Sequence, residues 1–157
     1  MTIVDQLVDD HAFFFNKLKE LEALSSEPDK EQTVVQASAL VHGFSERHRI
    51  HLRRESSVLY PALLGYLEEG QGNRVRAEIS RHLHDEHMGM EHHIHALEQD
   101  LETRPLKVEW VKSFRGLTDV FTPHMRNEEE HIFPEAVRLM PHNQLETMSR
   151  AEYFPAF

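Results

Sequence analysis

His51-Leu52-Arg53-Arg54-Glu55-Ser56-Ser57-Val58-Leu59-Tyr60-Pro61 and His124-Met125-Arg126-Asn127-Glu128-Glu129-Glu130-His131-Ile132-Phe133-Pro134 are two versions of one pattern. Each is a His, a Glu four residues on, and an aromatic-Pro pair soon after. Residues four apart share a helix face. Each stretch therefore sets an imidazole and a carboxylate side by side. The pattern also continues an apolar stripe: Ala37, Val41 and Phe44 lead into His51, and Trp110, Phe114, Leu117 and Phe121 lead into His124. Both pairs are expected to point into a core.

Helical periodicity extends over nearly the whole chain. Thr2 to Asp5 reads as an N-cap with an acid at N3, and it opens a helix with Val4, Leu7, Val8, Phe14, Phe15, Leu18 and Leu21 on one face. Ser25 to Asp29 breaks it. A second helix is expected from about Lys30 to Glu69, a third from about Arg74 to Glu102, and a fourth from about Leu106 to Leu139. Gly70 to Asn73 and Thr103 to Pro105 form the turns, and Pro61, Pro123 and Pro134 are expected to kink or disturb their helices. A short helix over Leu145 to Arg150 follows. Four amphipathic helices with short connections predict an all-α, antiparallel up-down-up-down bundle with a short C-terminal helix. The second and fourth helices then run in the same direction, so their motifs can face each other at one level. One domain over residues 1–157 accommodates this, with the bundle at about 4–140 and an extension over 141–157.

Composition narrows the chemistry. The 157 residues contain no Cys, which excludes a disulfide framework and thiolate-held clusters. The formal charge of −10 argues against nucleic acid. No apolar run is long enough to span a bilayer, and the acidic N-terminus shows no signal peptide. A soluble cytoplasmic protein is the expectation. Histidine stands out, at 13 residues spread along the chain. A His-rich, Cys-free sequence leans toward iron, manganese or zinc held by nitrogen and oxygen.

The stripes sort these histidines. His11, His51, His87 and His124 point inward, one per helix, with Glu55 and Glu128 beside two of them. A single His on an apolar face is more often a hydrogen-bonded core residue than a ligand, and His-x-x-x-Glu also occurs at His42, His82, His87 and His131. The constellation carries more weight. Four imidazoles and two carboxylates at one depth are a heavy desolvation load for a metal-free core, and a cation removes it.

With these motifs in place, the sequence resembles the hemerythrin family, in particular the bacterial HHE cation-binding domains. The resemblance rests on Asp10-His11 followed by Phe14, Leu18 and Leu21; on His51-x-x-x-Glu55 ending in Tyr60-Pro61; on Glu86-His87 followed by Ile94 and Leu97; and on His124-x-x-x-Glu128-Glu129 ending in Phe133-Pro134. It implies a centre of two iron ions bridged by an oxo or hydroxo group and carboxylates. In that centre His11, His51, His87 and His124 are terminal ligands, and Glu55 and Glu128 are bridges. Two six-coordinate ions have about twelve positions, of which this set and one bridging oxygen fill about ten. The open positions imply a small ligand: O2, peroxide or NO.

This chain departs from the oxygen-carrying members in having no HxxxH pair on the third helix, which counts against reversible oxygen transport. His48 and Glu91 lie one turn from ligand positions, and a role in orienting imidazoles is the expectation for both. His131 with Glu128 makes one ExxH motif, where ferritin-like sites need two. Iron–sulfur repair members typically carry an added Cys-bearing domain; with no Cys in these 157 residues, that role is not the expectation. Two functions of different class remain open: a di-iron protein that binds or reacts with O2, peroxide or NO, and a non-catalytic metal-dependent interaction or sensor module, with zinc or manganese as alternative metals. The aromatic tail Tyr153 to Phe157 is expected to pack over the end of the bundle. The sequence names no protein partner.

Overall fold

The computed structural model describes residues 1–67, 73–102 and 109–151. Every element among them is helical. Helix α1 is Ile3–Leu24. Thr2 caps it in a full capping box: its side chain accepts from the Asp5 amide, and the Asp5 carboxylate accepts from the Thr2 amide. Helix α2 (residues 31–66) is built from Glu31–Arg53, a π-helical stretch Arg54–Leu59, and Tyr60–Tyr66. Helix α3 (residues 73–102) is likewise Asn73–Arg81, the π turn His82–Glu86, and His87–Glu102. Helix α4 (residues 109–139) is Glu109–Asn127, the π turn Glu128–Ile132, and Phe133–Leu139. Helix α5 is His142–Ser149, starting three residues earlier than the sequence suggests. The expected ends of the second and fourth helices at Glu69 and Leu106, the Thr103 to Pro105 break and the aromatic tail lie outside the described residues.

At Pro61 and Pro134 the α-helix is disturbed just upstream, where the π stretches Arg54–Leu59 and Glu128–Ile132 interrupt it, but neither helix ends. Pro61 and Pro134 each fall in the first turn of the α segment that follows a π stretch. A proline has no amide hydrogen to give, and the first turn of a helical segment is where none is required. The helices therefore run on past both residues. Pro123 also sits inside Glu109–Asn127 without ending it.

Each of the first three helices packs against the next in sequence, and α4 and α5 both pack back on α1. The interior is layered. One apolar cluster is built from Phe14, Leu18, Phe44, Ile94, Trp110, Phe114 and Phe121 with their neighbours. A second, toward the other end, holds Ile3, Leu7, Leu59, Tyr60, Leu63, Ile79, Ile132 and Phe133. The predicted stripes supply most of the first cluster, whereas Ile3, Leu67, Ile132, Ala136 and Met140 in the second lie outside them. Val8 lies on the α1 stripe by spacing but is 40% exposed, and Phe15 on the same stripe is only half-buried. Between the clusters, where apolar residues would be expected to continue, the buried side chains are histidines and glutamates.

Candidate metal centre

All six side chains singled out from the sequence meet in this polar layer. His11, His51, Glu55 and Glu128 bring donor atoms within 4.8 Å of one another, and His87, His124 and Glu128 do the same with a further residue, His82. All seven are buried. The two groups share Glu128. Glu55 connects them too, with Oε1 2.9 Å from His51 Nε2 and Oε2 3.1 Å from His87 Nε2. Glu128 Oε1 lies 3.4 Å from His11 Nε2 and 3.0 Å from His124 Nε2.

The sequence does not mark His82, since it holds no HxxxH pair. The structure supplies a counterpart with one more residue between the histidines. The π turn His82–Glu86 ends with the His87 amide donating to the His82 carbonyl, a five-residue step that puts both rings on one face. The other two π stretches hold Glu55 and Glu128 themselves. Each π stretch thus coincides with a donor of the common layer.

The layer fits a bound cation. Buried polar atoms are nearly always hydrogen-bonded. Here His11 Nε2, both oxygens of Glu55, His82 Nδ1, His87 Nε2, His124 Nε2 and Glu128 Oε1 are buried without a hydrogen-bond partner, although they crowd together. Seven unsatisfied atoms facing one another make a costly core when left to themselves. They are the lone-pair atoms that nitrogen and oxygen ligands present to a metal.

The opposite ring nitrogens are held by carboxylates. His11 Nδ1 donates to Glu129 at 2.8 Å, His51 Nδ1 to Asp10 at 3.1 Å, and His124 Nδ1 to Glu86 at 2.6 Å. These bonds fix each ring and leave Nε2 free to face inward. They also account for the acid-histidine neighbours in the sequence. Asp10 precedes His11 but serves His51 on α2; Glu86 precedes His87 but serves His124 on α4; Glu129 follows Glu128 but serves His11 on α1. His82 is oriented the other way round: its Nε2 lies 3.1 Å from Glu86 and 2.9 Å from the Asn127 amide, leaving Nδ1 to face Glu128 at 3.9 Å. Asp10 is itself clamped by Arg47 at 2.8 Å and Arg54 at 3.1 Å. The buried Tyr60 hydroxyl donates to Glu128.

The electrostatics follow. Burial would lower the His51 pKa, but Glu55 beside it and the bond to Asp10 raise it to about 10. Burial likewise works against His124, and Glu128 and Glu86 raise it to about 10. Burial and the neighbouring His124 push His82 down to about 4. Burial favours the neutral form of Glu128, yet His124 and the hydrogen bonds around it hold its carboxyl well below the usual range. In the absence of a cation, protons on the imidazoles carry part of the charge that a cation would.

The remaining candidates stand apart. His48 is buried among Phe14, Phe44 and Phe121 and is not one of the grouped donors. Glu91 is exposed and His131 half-buried, and neither joins the groups.

The hemerythrin HHE cation-binding domain matches residues 2–136. The chain belongs to this family. Comparison with curated proteins and with solved structures finds no match. The matched span takes in all seven grouped donors, so a cation-binding role for the hemerythrin domain and the buried donor layer point to the same place. Among the described residues no helix is long and apolar enough to cross a membrane.

Proposed function

We propose that this chain is an up-down-up-down four-helix bundle that binds two iron ions and takes up or reacts with O2, peroxide or NO. His11, His51 and Glu55 would hold one ion and His82, His87 and His124 the other, with Glu128 and Glu55 shared between the two groups. The observation that carries this is the convergence of unpartnered buried donor atoms in two groups with a shared carboxylate. Ligand type favours iron, zinc or manganese over softer metals, and a paired site lined by carboxylate and imidazole in a helical bundle suits two redox-active ions. Bound iron would supply the electrons for chemistry on a small oxygen or nitrogen ligand.

The protein's own part is geometric and electrostatic. Asp10, Glu86 and Glu129 hold the imidazoles, Tyr60 steadies Glu128, and the two apolar clusters keep bulk water from the layer. With four histidines about ten of twelve coordination positions are filled; His82 raises this to about eleven and makes the two ions unequal. With three imidazoles in one donor group and two in the other, one bound ion would be closer to saturation than its neighbour, which restores reversible ligand binding as a reading that the missing HxxxH pair had disfavoured.

Anaerobic metal analysis with a visible spectrum before and after air tests the proposal. The expected result is about two irons per chain and new near-ultraviolet absorption on oxidation. One metal or none, with no spectral change, refutes the redox reading and leaves a zinc or manganese module in its place.

A further inference from the structure

A cleft of about 400 Å³ between α2 and α3 has His87 in its wall. Two other clefts stop short of the seven donors. One, between α1 and α4, ends on Phe133 and Glu129; the other, further along α2 and α3, ends on His48. Exposure agrees with this difference. His87 is 6% exposed, the highest value among the seven, while His11, Glu55, His82 and Glu128 are at 0%. Of these three clefts, this one alone reaches a grouped donor, and it does so at the most exposed of the seven; His124 follows at 4%.

The cleft has a definite chemistry. Its inner wall is apolar, with Leu52 and Leu83 beside His87, and Met88, 69% exposed, stands at the rim. Arg49, Arg53 and Glu91 also line it. At roughly 30 Å³ per water it holds on the order of a dozen water molecules, enough to pass a ligand of two or three heavy atoms. Arg49 and Arg53 outnumber Glu91 in its lining, on a chain whose net charge is −10. Such a concave patch raises the local concentration of anions that the rest of the surface repels.

We infer that small anionic ligands reach the metal centre through the α2/α3 cleft, past Met88 and along His87, and that Arg49 and Arg53 draw them there. This rests on the metal centre proposed above. The neutral diatomics of that reading use the same opening without the charge assistance.

The probe is azide, added to the iron-loaded, oxidised protein and followed by stopped-flow absorbance. Ser56→Trp and Glu91→Trp each fill the cleft from a different wall; Val137→Trp fills the α1/α4 cleft as a control. With iron content measured in every sample, the two cleft fillers are expected to slow azide association and dissociation together by roughly tenfold or more, with Kd and the final spectrum unchanged, because a gate changes rates and not the end state. The control is expected to bind at the original rate. Arg49→Glu is expected to slow association several-fold at low salt, with the difference shrinking at high salt. Full iron content with unaltered azide rates in both cleft fillers overturns this inference alone, as does slowing confined to Val137→Trp. Failure of the unaltered protein to take up iron overturns the metal reading and this inference with it.

Discussion

His82 and His87 lie five residues apart and present their rings to one buried layer, because the His87 amide donates to the His82 carbonyl, one residue further back than an α-helix allows. Their ring centroids are 6.4 Å apart, and both belong to the same donor group. His82→Ala is therefore expected to weaken metal binding by at least the roughly 10–100-fold seen when an outer partner of a ligand is lost, with one of the two ions affected more than the other. His48→Leu, a change at a histidine buried equally deeply but outside both groups, is expected to leave metal stoichiometry unaltered. Metal titration of the two variants side by side checks this. Equal behaviour of the pair removes His82 from the ligand set.

The difficulty with His82 shows what the sequence carries and what it does not. The amphipathic stripes, the Thr2 cap and the inward placement of His11, His51, Glu55, His87, His124 and Glu128 all follow from a period of 3.6 residues, and that period holds along most of each helix. It fails at Arg54–Leu59, His82–Glu86 and Glu128–Ile132. Where the i,i+4 pair begins before the π stretch, as with His51 and Glu55, the reading survives. Where both residues straddle it, the partner shifts by one, and a search for HxxxH passes over HxxxxH. The role of the neighbouring acids was hidden for another reason. Asp10, Glu86 and Glu129 act across helices, and only packing reveals which imidazole each one reaches.

Asp10 and Glu86 are expected to matter although neither faces the inner side of the layer. Asp10→Asn and Glu86→Gln keep the shape but replace a charged acceptor by a neutral amide. The rings of His51 and His124 lose basicity and fixed orientation, and metal affinity is expected to fall roughly 10–100-fold for each. Arg47→Ala should have a smaller effect, since Arg54 still holds Asp10. Competition against a chelator of known affinity measures all three, and an Asp10→Asn protein that binds metal as tightly as the original contradicts the proposed role.

The apolar cluster beside the layer supports it mechanically. Phe121 packs within 5.0 Å of Phe44 and 5.6 Å of Phe14, ring centre to ring centre, and 5.0 Å from His48. Phe121→Ala is expected to destabilise the fold by about 3–5 kcal/mol through lost burial and the cavity left behind. Chemical denaturation of metal-free protein checks the magnitude. A loss below about 1 kcal/mol means that the neighbouring rings have collapsed into the space.

The pH dependence of the metal-free protein follows from the opposed shifts within one layer. His51 and His124, raised to about 10, bind protons in the fold that they lose more easily when unfolded. Their contribution to stability is complete below the ordinary histidine value of 6.5 and is lost as pH rises through about 10. His82, pushed down to about 4, acts in the other sense: it is neutral in the fold, and its contribution is present above 6.5 and is lost as pH falls toward 4. Metal-free protein is thus expected to lose thermal stability on both sides of neutrality. A metal must displace the protons on His51 and His124, so binding near neutral pH is expected to release about two protons per chain and to tighten as pH rises. The loaded protein, with those protons gone, is expected to keep its stability at alkaline pH. Melting curves of both forms across pH, with proton release followed by an indicator dye in weakly buffered solution, test this directly. Metal uptake without proton release excludes His51 and His124 as ligands, whatever the melting curves show.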